Sequence, residues 1–324
     1  MRESRLDPVL ALLLKVAPER NAEPANAAIA RSQFRRASGL MRYRGAGRAG
    51  GIEDFDLGSG LRARLYRPSA SGPVATVVFF HGGGWVVGDV ASYGAQCRRL
   101  RDGTGAAILS VEYRLAPEAP FPAAVEDALA AMRWAAANVD RLGGDGTRLG
   151  VAGDSAGGNL AAVVAQAMRR EKIALRAQLL VYPALDSVGL RSGEASLRFP
   201  SHARFARGYF LTLAGMNWYA DRYVPAERDR ADPRASPLRA EYLAGLPPAV
   251  IATAGFDPLL DEGRAYAAAL RAAGVPVTYL EFPALIHGFF GLASLSPGCR
   301  RAANSCCSAF RALLAERDAV SVRC

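Results

Sequence analysis

From residue 61 onward the chain alternates short apolar runs with amphipathic helical stretches, and this alternation restricts it to a mostly parallel sheet covered by helices on both faces. VATVVFF (74–80) and AAILSVEY (106–113) are continuous apolar runs, as strands buried on both faces require. LRARLYRP (61–68) alternates instead and stops at a proline, which predicts an outer strand. A helix over 123–139 leads to a strand at 148–153, and a helix over 156–170 leads to a strand at 177–183. Two more strands are predicted at 249–255 and 277–283, joined by a helix over 262–274 that ends on Gly274. A terminal helix follows over roughly 300–316.

Two segments break the pattern. Residues 1–45 are helical before any strand appears, with Asp7 and Pro8 reading as an N-cap and a first-turn proline. Residues 187–240 separate two strands by far more than an ordinary loop and contain a helical stretch at 209–224. An insertion of that length inside a compact domain is usually functional, often a lid. We therefore expect residues 1–45 and 187–240 to form one helical cap over a catalytic domain of 46–186 and 241–324.

The chemistry is carried by Gly-Asp-Ser-Ala-Gly at 153–157. The pentapeptide alone is a weak signal, with ~0.1–0.2 chance matches in a chain of this size. Its setting is specific, because a strand precedes Ser155 and a helix follows it. A strand that turns sharply into a helix leaves the serine oxygen exposed, and flanking glycines remove the side chains that would crowd the turn. The expected fold is the α/β-hydrolase fold, a mostly parallel central sheet flanked by helices with a helical cap.

Acyl transfer also needs donors for the developing oxyanion. His81-Gly82-Gly83-Gly84 directly follows a buried strand, and Gly83, Gly84 and Ala156 are the expected main-chain donors, with His81 and Gly82 bracing the loop. Of the three histidines, His81 belongs to that loop, and His202 falls in the cap, where it is expected to be merely exposed. Only His287, after the last strand, satisfies the chain order serine, acid, histidine. The acid should follow the preceding strand, where Asp257, Asp261 and Glu262 are available. Asp257 is nearest the strand end and is favoured, with Asp261 second; Asp261 and Glu262 read as first-turn acids of the next helix.

Other functions fit the composition less well. The net charge of +10 comes with 40 basic residues, only Lys15 and Lys172 being lysines, and the arginines are scattered rather than gathered into a stripe. Nucleic-acid binding is therefore not expected. GAGRAG (45–50) matches a dinucleotide fingerprint literally but lacks the strand before it and the helix after it. Five cysteines without a CxxC pair, and three histidines, support neither a metal site nor another cofactor. Reduced thiols, a short N-terminal apolar run closed by Lys15 and no run long enough to span a bilayer predict a cytoplasmic protein without membrane association. The strand at 277–283 has the character of a sheet edge, where a second copy could pair to form a homodimer.

The residues resemble the bacterial hormone-sensitive-lipase-like esterases. The resemblance rests on HGGGWVVGD (81–89), EYRLAPEAPFPAAVED (112–127), GDSAGGNLA (153–161), LLVYPALD (179–186), the stretch from GLPPAVIATAGFDPLLDE onward (245–277) and IHGF (286–289). It covers about 79–290 and is weakest in the cap regions. It implies a triad of Ser155, Asp257 and His287 acting on short- to medium-chain carboxylic esters without a cofactor. Lactones, amides or acetylated sugars are alternative substrates, and a non-catalytic small-molecule receptor on the same fold is the reading from another class.

Overall fold

The computed structural model describes residues 5–16, 26–43, 45, 50–190 and 198–315. Parts of the expected cap, most of the GAGRAG stretch and the end of the chain, including Cys324, lie outside them.

The strands are β1 (Ile52–Asp56), β2 (Arg62–Tyr66), β3 (Val74–Phe80), β4 (Ala107–Glu112), β5 (Gly144–Asp154), β6 (Ala177–Val181), β7 (Ala249–Phe256) and β8 (Val277–Ile286). They form one sheet in the order β1-β2-β4-β3-β5-β6-β7-β8. β2 runs antiparallel to both β1 and β4, and every pairing from β4 to β8 is parallel. The continuous apolar runs are the central strands: β4 and β6 are buried almost throughout, and β3 from Ala75 onward. β8 occupies an edge and is only half-buried, as its sequence suggested. β2 departs from expectation. It is not outermost, because Ile52–Asp56 adds β1 beyond it, and Pro68 lies past the strand end, where it costs the ladder no donor.

The helices are α1 (Pro8–Val16), α2 (Ala27–Ser38), α3 (Gly94–Thr104), α4 (Ala123–Ala137), α5 (Ala156–Arg170), α6 (Pro200–Arg204), α7 (Leu213–Tyr223), α8 (Leu260–Ala272) and α9 (Pro297–Ala315). Asp7 caps α1, its Oδ1 accepting from the N–H groups of Val9 and Leu10 at 3.0 and 3.2 Å. Gly274, just past α8, has φ +77°, the left-handed conformation that ends helices. α3 was not legible in the sequence, since GAQCRRLRDGT carries few apolar residues. It forms because Cys97, Leu100 and Thr104 recur at helical spacing and are buried, so tertiary packing outweighs weak propensity. Helices on the two faces divide the core, with α4, α5 and α8 on one side of the sheet and α3 and α9 on the other. Among the described residues no helix is long and apolar enough to cross a membrane.

Candidate active site

A parallel sheet brings the carboxyl ends of its strands to one side, and there the distant motifs meet. β3 delivers His81, β5 delivers Ser155, β7 delivers Asp257 and β8 delivers His287, each in the residue directly after its strand.

Ser155 sits at φ 55°, ψ −119°, a conformation that a non-glycine residue holds only where its surroundings enforce it. They do so through two main-chain bonds: Ser155 N–H donates to Val181 O at 2.9 Å, and Ala184 N–H to Ser155 O at 3.2 Å. The turn also closes on its glycines. A Cβ at Gly157 would strike the carbonyls of Phe80 and His81, and one at Gly153 would strike the backbone of Gly157.

His287 Nε2 lies 3.0 Å from Ser155 Oγ, and its Nδ1 lies 2.8 Å from Asp257 Oδ2. Asp257 is wholly buried, and its other oxygen accepts from Leu259 N–H at 2.9 Å. A carboxylate that only accepts requires the proton on Nδ1, which leaves Nε2 as an acceptor facing the serine hydroxyl. Asp261, the second candidate acid, instead accepts from Ser201 N–H at 2.8 Å and pairs with Arg264.

The three expected oxyanion donors line the same cavity as Ser155. The N–H groups of Gly83, Gly84 and Ala156 donate to no other described residue. Gly83 and Gly84 hold φ +114° and +58°, and the loop turns so tightly that a side chain at either would collide with Val87 or Tyr219. His81 lies behind the loop, stacked on Tyr113 at 4.3 Å, with Nδ1 donating to Gly82 O at 2.8 Å. Tyr113 in turn donates to His81 O at 2.7 Å. Burial pushes the His81 imidazole down to about 4, so it stays neutral near pH 7 and serves as packing and a single donor.

Several residues went unread in the sequence. Trp85 stacks on Tyr223 of α7 at 4.3 Å, tying the oxyanion loop to the 187–240 insertion. Arg31 of α2 donates to the carbonyls of Val86 and Ala116, and Phe34 stacks on Tyr93, so the N-terminal segment docks on the same loop. His202 is a correction: it is 1% exposed, not exposed, with Nε2 at 2.8 Å from Glu262 Oε1. Glu262 does stand in the first turn of α8, but it is fully buried and also accepts from the N–H groups of Leu185 and Asp186. It joins the loop after β6, the insertion and α8, a role that periodicity cannot reveal. Asp154 also went unread, although a carboxylate ending a buried strand was a visible signal.

The cavity holds about 220 Å³ and is mostly apolar. Phe34 and Met41 contribute from the N-terminal segment, and Leu190, Met216 and Tyr219 from the insertion. Among the described residues no group of three or more histidines, cysteines or acids is arranged to hold a metal ion.

Residues 77–291 match the family described as the alpha/beta hydrolase fold. The chain is 46% identical over 262 residues to the carboxylic ester hydrolase LipN of Mycobacterium tuberculosis, an alignment covering 78% of this chain and 67% of the relative. It is 39% identical over 278 residues to an ethyl acetate hydrolase of Pseudomonas putida, covering 82% and 84%. Among solved structures, a thermostable esterase from Pseudomonas putida superposes with a TM-score of 0.88 at 34% identity, covering 97% of this chain and 99% of that one.

Proposed function

Because the chain belongs to the hormone-sensitive-lipase-like family of the α/β-hydrolase fold, we propose that it is a carboxylic ester hydrolase whose nucleophile is Ser155, whose base is His287 and whose orienting acid is Asp257. The observation that carries this reading is the hydrogen-bonded chain Ser155–His287–Asp257, with spacings of 3.0 and 2.8 Å, beside three N–H groups that donate to no described residue.

The cycle follows from that geometry. Ser155 Oγ attacks the ester carbonyl as its proton passes to His287 Nε2, and Asp257 stabilises the imidazolium through Nδ1–H. The N–H groups of Gly83, Gly84 and Ala156 receive the oxyanion. His287 returns the proton to the departing alkoxide, so an alcohol leaves and the acyl group stays on Ser155. A water then loses a proton to His287 and attacks the acyl carbon; the tetrahedral adduct collapses, freeing the acid and restoring the serine hydroxyl.

The cavity supports short- to medium-chain esters, since ~300–1,000 Å³ is usual for drug-sized ligands and this one holds about 220 Å³. The segments 1–45 and 187–240 act as a cap in this reading, because both wall the cavity and both dock on the oxyanion loop. The thiols of Cys97, Cys299, Cys306 and Cys307 are free and buried, which fits a cytoplasmic protein. The outer edge of β8 is where a second copy would add to the sheet, a point that light scattering decides.

Ser155→Ala tests the core of the proposal. Hydrolysis of p-nitrophenyl butyrate should fall by several orders of magnitude, because triad members act as a unit. Near-normal turnover by that variant refutes the assignment.

A further inference from the structure

Asp154 is a buried carboxylate that the triad does not use. Its Oδ1 accepts from Gly82 N–H at 2.9 Å, and its Oδ2 lies 3.2 Å from the Tyr93 hydroxyl and 3.4 Å from that of Tyr182. No ion-pair partner is found for it among the described residues. Its place in the chain matters as much as its contacts. Asp154 and Ala156 flank Ser155, so the backbone that carries one oxyanion donor also carries the carboxylate that grips the loop bearing the other two.

We propose that Asp154 is a positioning residue for ester hydrolysis: as a carboxylate it clamps Gly82, and thereby sets the spacing between the N–H groups of Gly83 and Gly84 and that of Ala156. The proposal rests on the reading of Ser155 as nucleophile. The physical ground is that an ionised acceptor holds an N–H more tightly than a neutral one. Donor placement matters steeply, since an error of about 1 Å in a reacting assembly can cost roughly 10²-fold. The charge also faces His287, the two attracting each other when the imidazole is protonated. Loss of the charge therefore weakens both the clamp and the stabilisation of the imidazolium.

The titratable and charged groups around Asp154 are few. Tyr93, Tyr182, Tyr113 and Cys97 are held un-ionised by burial, His81 is held neutral, and His287 is the group that gains charge during turnover. Burial pushes the Asp154 carboxyl up to about 6, opposed by Gly82 N–H, His287 and the two hydroxyls. The clamp is therefore ionised at pH 8 and protonated at pH 5.

Asp154→Asn supplies a permanent copy of the protonated form, with Oδ1 still able to accept from Gly82. The experiment is the ratio of wild-type to D154N kcat/KM for p-nitrophenyl butyrate between pH 5 and 8.5. The ratio should be roughly tenfold at pH 8, carried by kcat rather than KM, and should collapse towards one as pH falls through about 6. A side chain needed only for its shape gives a ratio independent of pH, and that result overturns the proposal, as does a ratio of one at pH 8. Tyr93→Phe is the second arm. It removes one hydroxyl donor to Asp154 while leaving the Gly82 N–H bond in place, and should move the acid limb of activity to higher pH; an unmoved limb counts against the clamp. Failure of the Ser155 reading looks different, since Ser155→Ala would then remain active whatever D154N does.

Discussion

Asp257→Asn is the substitution whose effect the geometry specifies most closely. The amide oxygen can keep the bond from Leu259 N–H, but the amide nitrogen then faces His287 Nδ1 where a carboxylate oxygen stood at 2.8 Å. Two donors cannot share that contact, so the imidazole moves its proton to Nε2 and presents a donor to Ser155. Productive geometry requires flipping the amide, which sets its nitrogen against Leu259 N–H in a fully buried site, at about 1–3 kcal/mol. The flipped amide still lacks the charge that holds the imidazolium, worth about another 1.5–3 kcal/mol. Together the barrier rises by about 2.5–6 kcal/mol, or roughly 10² to 10⁴ in kcat/KM. The assay is p-nitrophenyl butyrate hydrolysis at pH 8, with the folded fraction checked by thermal melting. A loss smaller than about fivefold, or a larger loss in Asp261→Asn, refutes Asp257 as the orienting acid.

Glu262→Ala strips the acceptor from the N–H groups of Leu185 and Asp186 and from His202, all of them buried. At about 1–3 kcal/mol for each orphaned donor it should cost about 3–9 kcal/mol; a change below about 1 kcal/mol in urea unfolding would refute that account. Asp154 also makes stability depend on pH. Its carboxyl stands at about 6 in the fold against 3.8 when exposed, so the native state holds the proton more tightly. The stabilisation is complete below about pH 4 and is lost as pH rises through about 6, a swing on the order of 3 kcal/mol. Asp154→Asn lacks this term, so its stability relative to wild type should improve by that amount between pH 4 and pH 8; a constant difference would contradict it.

The fold was legible where the physics is local. Continuous apolar runs marked β3 and β4, helical periodicity marked α4, α5 and α8, and Gly274 marked an end. The strand-like GIEDFDL became β1, whereas α3 escaped because its burial depends on the strands and the terminal helix it packs against. Within the site, Ser155 was readable because strand, turn and helix are contiguous around it. His287 and Asp257 were readable by their order after successive strands.

The sequence by itself determined that a serine turn, a glycine loop, an acid and a histidine each follow a strand, since each is a local matter of chain geometry. Only the tertiary structure decided what those strand ends meet. Ser155 and His287 are 132 residues apart, and their hydrogen bond exists because parallel strands bring their carboxyl ends together. His202 and Glu262, 60 residues apart, became a buried pair rather than an exposed histidine and a helix-end acid. Asp154 acquired Gly82 as its partner across 72 residues. Burial removes water as the alternative partner, so a polar group must find another in the fold, and which one it finds depends on neighbours that no stretch of chain carries alone.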